Sequence, residues 1–363
     1  MRTEYIEKLA GMLDDHHLDA VLICPSEELL FLTGFNPMMC ERFQGLFIRA
    51  DGRMFYICNL LYKDQVEAGL GENVPVYTWF DGDDMVEVVR GILEDNQLGE
   101  STIGVNSTAP AYQILDIASE MPVHFVDAKP LLEEMRIRKT AEEQENLRQA
   151  ARIADEAFDA ILPKVHAGMT EQDVMDLLAE EMAARGGENP EGIVASGPNS
   201  SYPHYNEYGR TIADRDLMVL DYGCTYKGLH SDMSRTIFIG EPTEEQRRVY
   251  DIVDRAQMAA QKAAVEGAYI PDVDYAARHI IDTEGYEGSL VNRVGHGIGY
   301  MIHEAPDIKK SNKRHLERGM AFSIEPGIYL AGNFGVRIEN IVMINDNGET
   351  EILNKASRKL IVL

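Results

Sequence analysis

Cysteine is scarce in this chain. Cys24, Cys40, Cys58 and Cys224 are the only four in 363 residues, and none forms the C-x-x-C pairing of a zinc or redox site. They lie within or beside apolar segments, so they are expected as small buried side chains in a reducing compartment. Positive charge is also short. Against 61 Asp and Glu stand 34 Lys and Arg, and the resulting net charge of −27 repels phosphate backbones, so no nucleic-acid partner is expected. No stretch approaches the roughly 18 apolar residues of a membrane span. The opening segment MRTEYIEKLAGMLDDHH carries acids throughout, with Ile6, Leu9 and Leu13 at helical spacing, and lacks the apolar core of an export signal. A soluble, cytoplasmic protein with no membrane partner is expected. There is no clean internal repeat and no low-complexity segment.

What is present divides into two halves. From residue 1 to about 128, short apolar runs (Ala20–Cys24, Gly45–Ile48, Met54–Cys58, Val76–Trp79, Ile103–Val105, His124–Val126) alternate with amphipathic stretches near 3–16, 61–69, 84–96 and 110–119. That alternation predicts an α/β layered domain. Residues 129–140, KPLLEEMRIRKT, combine a proline with a run of charge and read as a linker. Over 141–363, helices are expected near 141–163, 170–186, 243–267 and 272–284, with Pro271 at the first position of the last. The strand-like runs there are Ile193–Ser196, Met218–Tyr222, Thr236–Ile239, Ala321–Tyr329 and Val336–Ile344. Strands and helices in separate blocks predict an α+β domain with helices on one face of a largely antiparallel sheet.

Chemistry-bearing residues concentrate in the second half. Asp221 directly follows the apolar run LMVL, and Asp232 follows across GCTYKG, a segment rich in turn formers that would fold the second aspartate back beside the first. Glu325 in AFSIEPGIYL and Glu339 in FGVRIENIVM are each embedded in apolar sequence of β type, where an uncompensated carboxylate costs several kcal/mol. Four carboxylates brought together need raised pKa values or cations, and two divalent ions balance four negative charges. The alternative is a structural network in which Arg337 and other bases pair with the acids. His296 is framed by Gly295, Gly297 and Gly299, which allow close backbone approach; the G-x-G-x-G spacing matches neither a dinucleotide loop nor a P-loop. Oxygen ligands with one imidazole suit manganese, iron, cobalt or zinc. Such a pair of ions can bridge a water, lower its pKa and present hydroxide to a carbonyl, so hydrolysis is the expected reaction class.

On the segments LDYG, HSDMSRT, GHGIG, HEAP, IEPGIY and GVRIEN, the chain resembles the pita-bread metallopeptidases, and among them the Xaa-Pro peptidases of prolidase and aminopeptidase P type. The resemblance covers the whole chain, although only the second half carries the specific motifs. It implies a creatinase/prolidase-like N-terminal α/β domain, serving oligomerisation and pocket closure, followed by an α+β pita-bread catalytic domain. It implies two divalent ions per subunit, manganese first with cobalt, zinc or iron as alternatives, held by Asp221, Asp232, His296, Glu325 and Glu339. Glu325 would also carry a proton to the leaving proline nitrogen, His303 and His204 would steady the substrate carbonyl, and Arg337 would orient the carboxylates. The implied substrates are short proline-containing peptides, and the implied assembly is a homodimer. Three positions depart from the family pattern. Asn292 stands where a histidine is common, Asp307 stands where some prolidases carry an arginine that grips a dipeptide's carboxylate, and Asn340 stands where Asp is frequent. Two other readings stay open, namely a pita-bread hydrolase or lyase acting on a small non-peptide substrate, and a non-catalytic peptide-binding module.

Overall fold

The computed structural model describes all 363 residues, which fall into two units, Met1–Arg136 and Ile137–Leu363. In the first, the short apolar runs become β1 (Ala20–Ile23), β2 (Gly45–Arg49), β3 (Met54–Asn59), β4 (Val76–Trp79), β5 (Thr102–Val105) and β6 (His124–Asp127), joined in one mixed sheet of order β4-β3-β2-β1-β5-β6. The helices are α1 (Thr3–Leu13), α2 (Glu27–Thr33), α3 (Lys63–Leu70), α4 (Met85–Asp95), α5 (Ala111–Glu120) and α6 (Lys129–Arg136). The segment expected as a linker over 129–140 differs from that expectation. Its first eight residues are α6, which buries Leu131, Leu132 and Met135 within the first unit, and the division falls after Arg136. Pro130 occupies the first turn, where its missing N–H is no loss. The α2 helix, absent from the sequence reading, is capped by the Ser26 hydroxyl, which accepts from Leu29 N, and ends at Gly34 with φ of 76°.

The second unit begins with two long helices, α7 (Ala141–Ile161) and α8 (Glu171–Ala184), each opened by a capping box, Thr140 with Glu143 and Thr170 with Asp173. They cover one face of a sheet formed by β7 (Glu188–Ser196), β8 (Leu217–Tyr226), β9 (Leu229–His230) and β10 (Met233–Phe238). The helices α9 (Glu244–Ala263) and α10 (Ile270–Ile281) follow, with Pro271 one residue later in its helix than expected. They pack on a second sheet of β11 (Gly295–Gly297), β12 (Glu304–Ile308), β13 (Ala321–Ile324), β16 (Asn340–Ile344) and β17 (Thr350–Ile352). Between β13 and β16 the chain makes a separate ribbon, β14 (Gly327–Leu330) with β15 (Phe334–Arg337), and β18 (Ile361–Val362) runs parallel to β10. The single sheet of the sequence reading is therefore two five-stranded sheets and a ribbon. Three cysteines are buried as expected, whereas Cys40 is half-buried with its sulfur 3.2 Å from the Tyr62 hydroxyl. No helix is long and apolar enough to cross a membrane.

Side-chain alternation decides where polar groups go. Leu220 and Tyr222 of β8 join the core under α7 and α8, so Asp221 between them points to the other face of that sheet. In β13, Phe322 and Ile324 join the core under α9 and α10, and Ser323 points away from it. Asp221 and Ser323 thus turn away from those helix layers toward an interior shared by the two sheets, where Leu147 and Ala151 of α7 also pack against Ala321, Ile341 and Met343, and the polar residues there form the site.

Candidate active site

The expected strand over Ala321–Tyr329 is broken at Glu325 and Pro326, and that over Val336–Ile344 is broken at Ile338 and Glu339. Ile324 pairs with Asn340 in the sheet, and Gly327 pairs with Arg337 in the ribbon. The two segments therefore leave the sheet together, and each carries a glutamate at its point of departure. The aspartates come from the hairpin that was expected. It turns at Lys227 and Gly228, both with positive φ, pairs Asp221 with Ser234, and leaves Asp232 immediately before β10. β10 then meets the glutamate-bearing segment. Glu339 N donates to Ser234 O at 3.1 Å, and Arg337 N donates to Thr236 Oγ1 at 3.1 Å.

His296 arrives on β11, which lies between β12 and β13. A β-carbon at Gly295 would stand 1.9 Å from Ser323 O, and one at Gly297 would stand 2.2 Å from the Ala305 carbonyl, so close approach requires glycine on both sides of the histidine. The imidazole Nδ1 lies 3.1 Å from Gly297 O, a carbonyl that can only accept. In the neutral ring Nδ1 therefore carries the proton, and Nε2 turns a lone pair toward Glu325 Oε1 at 3.4 Å and Asp232 Oδ2 at 3.5 Å.

All eight residues singled out in the sequence, Asp221, Asp232, His296, Glu325, Glu339, His204, His303 and Arg337, line one cavity of about 640 Å³. Asp232, His296, Glu339 and Arg337 are buried, Asp221 and Glu325 are partly so, and His204 and His303 are open to solvent. Asn292 also lines the cavity, whereas Asp307 does not and instead accepts from Arg293 at 2.8 Å. Asn340 is buried and accepts from the fully buried Arg235 at 2.9 Å, so that guanidinium meets a neutral amide and the carbonyls of Ser234, Glu339, Ala356 and Ser357.

Charge in the cluster is unevenly compensated. Arg337 makes an ion pair with Asp221 and donates to Ser234 Oγ, Tyr329 Oη and Pro203 O at 2.9, 2.8 and 3.0 Å. Burial would raise the Asp221 pKa, but Arg337 and the Ser234 hydroxyl bring it below the usual carboxylate range. Asp232 lacks such a partner, and burial with the charges of Asp221 and Glu325 pushes its pKa well up. Burial and the neighbouring carboxylates do the same to Glu339, and burial raises Glu325. Ser234 Oγ lies 2.7 Å from both Asp221 Oδ1 and Glu339 Oε2. Its single proton serves one of them, which agrees with an ionised Asp221 beside a Glu339 that favours protonation.

Three features show that these residues fit cations. One donor atom each from Asp232, His296 and Glu339 lies within 4.8 Å of the others. Glu339 Oε1 is buried without a hydrogen-bond partner. The facing atoms are lone pairs of imidazole and carboxylate, and such a set is satisfied by a positive ion.

Sequence reasoning passed over Ser234 and Tyr329, which hold Arg337 in place, and Arg293, which lines the cavity wall. Ser234 and Tyr329 stand inside the motif words already quoted, HSDMSRT and SIEPGIY, and that proximity was the available signal.

An α/β unit ahead of a carboxylate and imidazole cluster between antiparallel sheets defines a class of metal-dependent hydrolase. Comparison with known proteins agrees. Residues 6–138 match the creatinase/prolidase N-terminal domain, and residues 145–346 match metallopeptidase family M24. The chain belongs to metallopeptidase family M24, the pita-bread enzymes, whose members use divalent metal ions. It is 32% identical over 363 residues to the Xaa-Pro dipeptidase of Pyrococcus furiosus, covering 99% of both chains. It is 35% identical over 360 residues to the probable dipeptidase PepE of Mycobacterium tuberculosis, covering 98% of this chain and 94% of that one. The recombinant prolidase of Thermococcus sibiricus superposes over the whole of both chains with a TM-score of 0.92 at 32% identity.

Proposed function

We propose that this enzyme hydrolyses the peptide bond between an N-terminal residue and proline in dipeptides or short peptides. The observation that carries the reading is the convergence of Asp221, Asp232, His296, Glu325 and Glu339 on one cavity, together with full-length similarity to proteins named Xaa-Pro dipeptidase. Those five residues would hold two divalent ions, manganese first. When bound, the ions supply Lewis acidity for the carbonyl and lower the pKa of water beside it.

The chain's own groups divide the remaining work. Glu325 Oε1 faces the cluster from the point where the chain leaves β13, 3.4 Å from His296 Nε2, a position from which its carboxylate can accept a proton and return it to the departing proline nitrogen. His303 stands edge-on to His296 with ring centroids 4.3 Å apart. Partial enclosure by the cavity wall, on the side not open to solvent, together with the neighbouring His296, Arg293 and His204, lowers its pKa to about 4, so it works as a neutral hydrogen-bond donor to developing negative charge on the carbonyl oxygen. His204 lies one residue beyond Pro203, whose carbonyl Arg337 holds, so Arg337 ties the loop carrying His204 to the position of Asp221.

The test is release of the N-terminal amino acid from Xaa-Pro and Xaa-Pro-Yaa peptides by chelator-stripped protein, with and without manganese or cobalt. Failure of every divalent ion to stimulate release would sink the reading. The same reading takes the enzyme as a homodimer whose N-terminal units narrow the cavity of the neighbouring subunit; a monomeric mass in sedimentation would remove that part.

A further inference from the structure

One acid of the cavity has no task in the arrangement described so far. Asp221, Asp232, Glu325 and Glu339 are the proposed carboxylate ligands, and two divalent ions would answer their charges. Glu191 lines the same cavity outside that set. No Lys or Arg pairs with it. Its one ionic neighbour is His230, whose Nδ1 lies 3.6 Å from Glu191 Oε1, beyond hydrogen-bond distance, and the carboxylate is half-exposed. Its lone pairs are therefore open to a ligand.

The register of the sheet fixes where that charge stands. Val194 of β7 joins the core under α7 and α8, so Ile193 and Glu191, on the alternate side of the strand, face the cavity. Ile193 pairs with Asp221, and Glu191 pairs with Gly223, two positions further along β8 and so roughly 7 Å from the level of the ligand. A β-carbon at Gly223 would stand 1.9 Å from Ser231 O, so the chain leading to Asp232 crosses over that glycine and Glu191 forms the wall beside it. A ligand running outward along this wall meets the apolar side chain of Ile193 first and the carboxylate of Glu191 next. That order matches a lysine or arginine side chain, whose apolar stem ends in a cation. It does not match the α-amino group of a substrate, which lies two bonds from the carbonyl carbon and so stays at the level of the ligands.

We infer that Glu191 is a specificity-determining residue that pairs with a cationic side chain on the residue before proline, so that Lys-Pro and Arg-Pro substrates are preferred over uncharged ones of equal length. The inference rests on the Xaa-Pro reading above, and it names a narrower substrate class.

The experiment compares Lys-Pro with norleucyl-proline, which keeps the lysine stem and lacks the ammonium, in wild type, Glu191→Gln and Glu191→Asp, with bound metal measured for each. Wild type is expected to favour Lys-Pro in kcat/KM by about threefold to tenfold, between the worth of an exposed ion pair and that of a charge-assisted hydrogen bond. Glu191→Gln should bring that ratio to within about twofold of one, chiefly through the KM of Lys-Pro, and Glu191→Asp, with the charge on a shorter arm, should retain part of it. A wild-type ratio near one, or a ratio that Glu191→Gln leaves unchanged, would overturn the inference; equal losses on both substrates would place Glu191 on the α-amino group instead. Binding of L-lysine and L-norleucine by calorimetry adds a readout independent of turnover: Glu191→Gln should weaken L-lysine alone. If wild type hydrolyses neither substrate, the peptidase reading fails and calorimetry decides on Glu191, selective loss of lysine binding upholding its role and its absence refuting it.

Discussion

Lys139→Met should be among the most damaging single changes outside the metal cluster. Lys139 Nζ lies 2.5 Å from Glu304 Oε1, and the two side chains are 2% and 1% exposed. Glu304 follows His303 directly and also accepts from Met301 N at 3.2 Å, so the pair fixes the segment that carries His303. Removing the ammonium leaves a carboxylate in the interior without its cation, which costs about 3–5 kcal/mol. For a unit of this size, each kcal/mol moves Tm by roughly 2–4 °C, so a fall of roughly 6–20 °C is expected. The assay is calorimetric or dichroic melting of the metal-loaded protein, with Lys139→Met/Glu304→Gln as the second arm. Replacing both charges at once avoids the orphaned carboxylate, and the double variant should regain most of the loss. The argument is refuted if Lys139→Met melts within about 2 °C of wild type, less than 1 kcal/mol by the same conversion, or if the double variant is no better than the single.

Three further outcomes follow from the same physics. Asn340→Asp supplies the buried Arg235 with a carboxylate partner and should raise stability by about 1–2 kcal/mol, read as a higher Tm; a lower Tm would mean that repulsion from Glu339 outweighs the new pair. The raised pKa values of Asp232, Glu325 and Glu339 mean that in chelator-stripped protein these three groups contribute stability that is fully present below the ordinary carboxylate range and is lost as pH rises through their raised folded-state values. Manganese loading should release protons and reverse that slope, and melting curves at pH 6 and pH 8 with and without the ion would show it, parallel slopes counting against it. Asp232→Ala and Glu325→Ala should abolish turnover in a folded chain, whereas His303→Ala should lower turnover with metal still bound; loss of metal in the last variant, with residual turnover per metal ion, would show that His303 is itself a ligand.

The fold class and the gathering of the candidate residues in one cavity were legible in the sequence, whereas the division into sheets was not, and particular residues explain why. The first unit was legible strand by strand, because Val76–Trp79 and its neighbours are short apolar runs between clear turns. The linker reading of 129–140 failed because Lys129, Pro130 and the acids of α6 lie on exposed or tolerated positions, and three apolar residues over eight give a weak period. The break at Glu325 was signalled by Pro326-Gly327, which the strand reading ran through, whereas that at Glu339 was hidden because Val336 and Ile338 on one side and Ile341 and Val342 on the other keep the same β-type composition across the change of sheet. Conversely, the acids were legible for a physical reason: a carboxylate inside such a run requires a partner. Ser234 was not legible, since a serine in a strand has no such requirement. Asn340 seemed a minor departure next to its glutamate, and only the structure reveals the buried guanidinium of Arg235 that it faces.

The cluster is assembled from two halves that are distant along the chain. Asp221 and Asp232 share one hairpin, Glu325 and Glu339 share another, and α9 and α10 intervene, so Arg337 meets Asp221 across 116 positions and Ser234 meets Glu339 across 105. Contacts of such span form late, because loop closure must precede the gain. Each hairpin alone offers two carboxylates, too few for tight capture of an ion. On the proposed ligand assignment, a chain still being synthesised would lack a complete ligand set, and the choice of ion would be deferred until the two sheets had closed on each other.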